Sequence, residues 1–211
     1  MSQRVGLEPF DLLCVSGVSR VAKVIRWAES APGAPATVSH VSFVVVGGGL
    51  YSAIVQEALW ETRRIVRRPL GAYAGTGELV SVWRPLDLDA QDRAAMMRAA
   101  DATVGRRYGY ANIGLQLVDA VLSKVRRRPV RFARRLATTG PQICSENVAE
   151  VWKAAGLGFG VDAGTANPEE VNTFCASRPD KYALVRNLVP IPRLPIPIND
   201  PMNPALRGVP A

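Results

Sequence analysis

The sequence predicts an α+β fold, in which an antiparallel sheet of five or six strands curls toward a barrel and helices cover one side. The strand at 38–46 is rich in β-branched residues, and a glycine run at 47–49 separates it from the next strand, which favours an antiparallel hairpin. Further short strands follow, and capped helices occupy most of the second half. A chain of 211 residues, 48% of them hydrophobic, is long enough for one globular domain with a core.

The first half of the chain contains one helix and five strands. The predicted strands lie at 7–15, 38–46, 51–60, 62–70 and 78–86, and the helix lies at 16–30. On this helix Val21, Ile25 and Ala28 share one face, while basic side chains share another. The alternation of the strand at 38–46 puts His40 on the same face as Val44.

The second half is mainly helical until a last strand at 181–188. A helix at 87–105 has Asp89 as its N-cap and Gly105 as its stop, and a helix at 166–177 has Asn167 as its N-cap. A basic segment looks helical, and the C-terminal residues contain a proline every few positions. We therefore expect one folded domain at 1–187, with a basic helical insertion at about 113–137. An extended tail should follow at 188–211.

The positive charge of the chain is concentrated in one segment. The net charge is +8, and residues 124–135 carry seven basic side chains and no acid, so the remainder sums to +1. This surface basic patch comprises Lys124, Arg126, Arg127, Arg128, Arg131, Arg134 and Arg135. It could bind an anionic membrane or a cell-wall polymer, or it could be a solvated face; we expect no specific nucleic-acid site.

The cysteine content and the N-terminal sequence bear on the compartment. Three cysteines without close spacing fit neither a disulfide framework nor a zinc site, which favours a reducing compartment. No secretory signal and no apolar run of membrane-spanning length is visible in the sequence. We therefore expect a cytoplasmic location by default, although phage or non-classical delivery stays open, and we expect no metal and no cofactor.

Cys144 opens a predicted helix that ends at Gly156. Val148, Val151 and Ala155 share a face with it, so the thiol should face the protein body at the positive end of a helix dipole. That position favours a thiolate. A buried structural cysteine is the alternative, and Cys14 and Cys175 are best explained that way.

His40 is the single histidine, so any mechanism that needs an imidazole must use it. A cysteine hydrolase needs a Cys–His pair and a third group that orients the imidazole. Gln56 and Glu57 on the neighbouring strand are candidates, and the carboxylate of Glu57 is the stronger one because it also stabilises an imidazolium. Glu57 could instead pair with an arginine: Arg63, Arg64, Arg67 or Arg68.

Six short motifs occur in the order found in one enzyme family. They are FDLLCVSGVSRVAKVIRWAES, VSHVSFVV, VQEALW, GRRYGYANIG, CSENVAEVWKAAG and ANPEEV, within residues 8–187. In this order the chain resembles the permuted NlpC/P60 cysteine hydrolases of the papain-like superfamily, in particular the YiiX/YebB-like group, in which the histidine precedes the cysteine. The basic insertion, the proline-rich tail and Asn147 depart from the family pattern.

The resemblance implies a circularly permuted papain-like fold and assigns roles to residues. It implies Cys144 as nucleophile, His40 as base and Glu57 as the third member, with Tyr108 or Tyr110 on the oxyanion side. Either tyrosine could equally be an aromatic residue packed beside a strand. The backbone N–H of Cys144 is a natural oxyanion donor because it lies at a helix N-terminus.

Three classes of function remain open from the sequence. The first is a cysteine hydrolase that cleaves a peptide, amide or acyl-ester substrate, which the resemblance extends to peptidoglycan peptides or lipids. The second is an acyltransferase with the same three residues at a membrane surface. The third is a non-catalytic binding module that uses the arginine-rich segment.

Overall fold

The computed structural model describes residues 6–30, 34–107 and 143–193, together with the single positions 109, 118 and 122. The predicted basic helical insertion, Tyr108, Tyr110 and most of the proline-rich tail lie outside the described residues. The strands are β1 (Leu12–Ser16), β2 (His40–Val46), β3 (Ile54–Leu59), β4 (Arg64–Pro69), β5 (Leu79–Pro85) and β6 (Tyr182–Pro190). The α-helices are α1 (Arg20–Glu29), α2 (Ala90–Thr103), α3 (Cys144–Lys153) and α4 (Pro168–Ser177).

The six strands form one antiparallel sheet in the order β4-β3-β2-β1-β5-β6. This confirms the predicted α+β class and the antiparallel sheet. The predicted hairpin joins β2 to β3, with Phe43 opposite Gln56. The register of β3 against β4 places Arg68 opposite Val55, and Glu57 opposite Val66, two residues along. Side chains of Val55, Glu57 and Arg68 therefore share one face of the sheet.

Each face of the sheet buries its own apolar cluster. On one face Phe43 packs against Trp152 of α3, and Met96 of α2 and Val171 of α4 join the same cluster. On the other face the cluster comes from the strands themselves and from the segments next to them, and it includes Val44. His40 has the same strand parity as Val44, as predicted.

The helix ends carry the capping signals that the sequence predicted. The Asp89 side chain accepts the N–H of Asp92, and the Asn167 side chain accepts the N–H of Glu170. Gly156 follows α3 with a φ of +69°, a conformation that a glycine adopts without steric cost. These local contacts fix where α2, α3 and α4 begin or end.

The last strand continues past the domain end that the sequence placed at residue 187. β6 extends to Pro190, and Ile191 is buried in the second cluster. The Tyr51 hydroxyl donates to the carbonyl of Pro192 at 2.9 Å, and the Gly75 N–H donates to the carbonyl of Ile191. The first residues of the proposed tail are therefore part of the domain, because they supply strand pairing and core contacts that proline content alone does not reveal.

Helix α1 buries fewer of its residues than the other three helices. Only Ala22 of this helix is buried, whereas Val21 and Val24 are exposed. Across the described ranges, no helix combines the length and the apolar character needed to cross a membrane.

Candidate active site

Cys144 is the first residue of α3, and its side chain is buried. The helix begins here because the N–H of Ile143 donates to the Glu146 carboxylate at 3.0 Å, which satisfies a donor before the first turn. The Ser145 hydroxyl donates to the carbonyl of Ala166 at 2.7 Å and ties the same turn to the loop before α4. The residues directly before and after Cys144 are therefore both fixed by hydrogen bonds, which fixes the position of Cys144.

The structure brings Cys144 to His40, the first residue of β2. The thiol and the imidazole are near enough that each shifts the pKa of the other, and the backbone N–H groups of Val41 and Ser145 help to lower the pKa of the thiol. His40 Nε2 lies 2.9 Å from Glu57 Oε2, so Nδ1 is the ring nitrogen that remains for the thiol. The three side chains form one series, with His40 hydrogen-bonded to Glu57 on one side and close to Cys144 on the other.

Glu57 is fully buried and has two further partners. Its Oε1 accepts from Arg68 Nε, and its Oε2 accepts from the Tyr73 hydroxyl as well as from His40. The Arg68 guanidinium lies over the Tyr73 ring, 4.8 Å from its centroid. A carboxylate with this many donors is fixed in position, so it fixes the imidazole plane in turn.

The charges in this series determine its protonation. Burial by itself would lower the pKa of His40, but the charge and hydrogen bond of Cys144, followed by those of Glu57, raise it to about 10. Burial would raise the pKa of Cys144, but the charge and hydrogen bond of His40 and the two backbone N–H groups lower it. The site therefore favours a thiolate–imidazolium pair near neutral pH.

Glu57 stays ionised beside that pair. Burial would raise its pKa, but the hydrogen bond and charge of His40 and the guanidinium of Arg68 lower it to about 2. Burial, then the charge of Glu57, raises the pKa of Tyr73 well above its ordinary value, so its hydroxyl remains a donor. The buried carboxylate is thus balanced by two cations and one neutral donor.

Gln56, a candidate for supporting the site, has other partners. Its amide nitrogen donates to the carbonyl of Ala100 and to the hydroxyl of Thr103, and its amide oxygen accepts from Arg67. Since Gln56 and Glu57 are adjacent in β3, their side chains point to opposite faces of the sheet. Gln56 therefore links the sheet to α2 and lies apart from the His40–Glu57 pair.

Sequence reasoning missed two members of the site. Arg68 was one of four arginines considered as alternative partners of Glu57, and the structure pairs Glu57 with both His40 and Arg68. Nothing in the local sequence indicated Tyr73, which lies in a 3-10 turn, Leu70–Tyr73, after β4. The predicted candidates Tyr108 and Tyr110 and the basic patch lie outside the described residues.

The other two cysteines are placed differently from Cys144. Cys14 in β1 and Cys175 in α4 are buried free thiols of the first apolar cluster. Burial raises the pKa of both thiols. Within the described part of the chain, no group of three or more His, Cys, Asp or Glu side chains is arranged to hold a metal ion.

We expect alkylation of Cys144 to persist in mildly acidic buffer. The thiolate is the reactive form, and the pKa of Cys144 is lowered, so its reactivity should be lost only as the pH falls through that lowered value. The measurement is the rate of iodoacetamide labelling against pH by peptide mass spectrometry, with glutathione as the ordinary thiol. A profile for Cys144 that superimposes on that of glutathione would contradict the expectation.

Comparison of the chain with known protein families found no match, and comparison with curated proteins found none either.

Proposed function

We propose that the protein is a cysteine hydrolase that cleaves an amide or ester bond through Cys144, His40 and Glu57. The observation that carries the proposal is the placement of His40 between Glu57, to which it is hydrogen-bonded, and Cys144, with a lowered thiol pKa and a raised imidazole pKa. A nucleophile, a base and an orienting carboxylate in contact are the arrangement that acyl transfer to a thiol requires.

The reaction has two halves. The Cys144 thiolate attacks the carbonyl carbon and forms a C–S bond, and the carbonyl oxygen becomes an oxyanion. The His40 imidazolium gives its proton to the leaving nitrogen or oxygen as the scissile bond breaks, which leaves a thioester on Cys144. Neutral His40 then takes a proton from water, the hydroxide attacks the thioester, and the carboxylic acid leaves as the thiol is restored.

Two features of the site favour these steps. The N–H of Cys144 belongs to the first turn of α3, where N–H groups have no acceptor within the helix, so it can donate to the oxyanion. The pKa of His40 is raised to about 10, so the proton needed by the leaving group is present throughout the neutral range. Glu57 stabilises the imidazolium and holds its orientation.

The finer fold assignment within this proposal is a permuted papain-like arrangement. Its support is the chain order, in which the strand with His40 precedes the helix that begins at Cys144, and the packing of that helix against the sheet. The order of the six sequence motifs agrees with it. We propose the NlpC/P60 relationship on these grounds.

An acyltransferase would use the same acyl-cysteine and differ only in the acceptor. Product analysis distinguishes the two reactions, because hydrolysis releases a free acid whereas transfer adds the acyl group to a second molecule.

The test is a substrate screen followed by mass spectrometry of the intact protein. We expect the full chain to hydrolyse one class among stem-peptide amides, acyl esters and phospholipids, with a transient acyl adduct that maps to Cys144. Cys144→Ala should abolish turnover, whereas Cys175→Ala, at a buried thiol of the same chain, should retain it. Turnover that persists in Cys144→Ala would contradict the proposal.

A further inference from the structure

Helix α1 presents its apolar side chains outward. Val18 just before the helix, and Val21, Val24 and Trp27 within it, are 53%, 43%, 46% and 54% exposed. Residues three apart lie on neighbouring positions of a helix, so Val21, Val24 and Trp27 follow one another along one side, and Val18 lies just before its first turn. Amphipathic helices of globular proteins ordinarily turn such a stripe toward the core.

Contacts on the opposite side of α1 fix this orientation. Ala22 is buried, and the Arg26 guanidinium donates to the carbonyl of Gly17 at 2.6 Å. Glu29 accepts the N–H of Glu169 at the start of α4, at 3.1 Å. The side of the helix that faces the protein is therefore the one with the polar anchors, and the apolar side is left toward the exterior.

The exposed charged side chains of α1 itself are basic, while the acid Glu78 lies close to Gly17, next to Val18. Arg20 and Lys23 are exposed, and Glu29, the single acid of the helix, is engaged with α4. Cations beside an exposed apolar stripe complement a surface that is apolar inside and anionic at its boundary.

We propose that the apolar side of α1, defined by Val18, Val21, Val24 and Trp27, docks on an anionic lipid bilayer. A helix lying in the bilayer interface needs this combination of apolar side chains and flanking Lys or Arg, with a Trp at the edge. A second protein copy fits less well, because a stable protein interface buries about 800 Å² on each partner and these four side chains supply only part of that area.

The docking surface adjoins the candidate active site. The N–H of Gly17, at the end of β1, donates to the hydroxyl of Ser39 at 3.0 Å, and Ser39 directly precedes His40. In β1, Val15 is paired with His40. The proposed surface thus begins within a few residues of the site. The docking does not depend on the hydrolase proposal, since it requires no reaction at Cys144.

The test is co-sedimentation of the full chain with phospholipid vesicles. We expect binding to vesicles that contain one third phosphatidylglycerol in phosphatidylcholine, and much weaker binding to phosphatidylcholine alone. The double variant Val21→Ser, Val24→Ser should lower the partition coefficient by about tenfold or more because it removes buried apolar area. The double variant Arg20→Gln, Lys23→Gln should lower it by about 25-fold, from about fivefold for each cation.

Two matched double variants control for the loss of exposed apolar groups and of positive charge at other places on the surface. Val46→Ser with Leu184→Ser removes similar exposed apolar groups from the sheet, and Arg63→Gln with Lys153→Gln removes two exposed charges elsewhere. Both should bind within about twofold of the original protein. Unchanged far-ultraviolet circular dichroism and unchanged alkylation of Cys144 establish that the helix variants are folded, and separate this test from that of the enzymatic proposal.

Three results would each overturn the docking proposal. The first is no sedimentation of the original protein with anionic vesicles, and the second is undiminished binding by the folded α1 variants. The third is an equal loss in the α1 variants and in their controls, because binding would then depend on total charge or apolarity and not on α1.

Discussion

Replacing His40 with alanine should slow iodoacetamide labelling of Cys144 near neutral pH by about tenfold or more. The imidazole holds the pKa of Cys144 down through its charge and its hydrogen bond, and without it burial would raise that pKa, so the thiolate fraction should fall. With a substrate in hand, turnover should fall by about 10²- to 10⁴-fold, the usual contribution of a general base. Labelling is followed by peptide mass spectrometry and turnover by product release.

The buried cysteines provide an internal control for this experiment. Cys14 and Cys175 lie in the core with pKa values raised by burial, so they should remain unlabelled in both the original protein and the variant while the fold is intact. Equal labelling of the three cysteines in the original protein, or an unchanged rate at Cys144 in His40→Ala, would count against a Cys144–His40 pair.

The second large effect is expected for Glu57→Gln, which keeps the shape of the side chain and removes its charge. The pKa of Glu57 is lowered from its ordinary 4.5 to about 2, a difference that corresponds to about 3 kcal/mol of stability at neutral pH. Because a lowered carboxyl pKa stabilises the fold only while the group is ionised, this contribution is complete above pH 4.5 and is lost as the pH falls toward about 2. Urea unfolding of both proteins at neutral pH and at about pH 3 measures it.

A matched variant separates this local effect from a change in net charge. Glu61→Gln makes the same chemical change at an exposed turn residue between β3 and β4, and should change the free energy of unfolding by less than about 0.5 kcal/mol. A difference between Glu57→Gln and the original protein that does not shrink in acid would indicate a packing defect and would refute the electrostatic account. In the same variant the pKa of His40 should fall, because Glu57 helps to raise it.

Local sequence signals were sufficient for the elements that local contacts define. Asp89 and Asn167 cap their helices through their own side chains, and Gly156 ends α3 through its own φ. The strand with His40 and the helix with Cys144 were predicted from periodicity. Their proximity was predicted because a thiol mechanism needs an imidazole and the chain has one histidine, and because the motif resemblance assigns the two residues to one site.

Features that depend on register or on distant packing were not predictable in the same way. Four arginines were near Glu57 in the sequence, and only the pairing of Val55 with Arg68 in the sheet selects Arg68. Tyr73 reaches Glu57 through a turn whose position depends on the end of β4. The periodicity of α1 shows which apolar residues share one face of the helix. It does not show whether that face is turned toward the core or toward solvent.

The position of β1 at the middle of the sheet has a consequence for biosynthesis. β1 pairs with β2 on one side and with β5 on the other, so the strands up to β5 can assemble as the nascent chain leaves the ribosome, before α3 has been translated. His40 and Glu57 lie on neighbouring strands of that part of the sheet. Activation of the sulfur depends on His40 and on the first turn of α3, so chains that end before residue 144 carry no activated nucleophile.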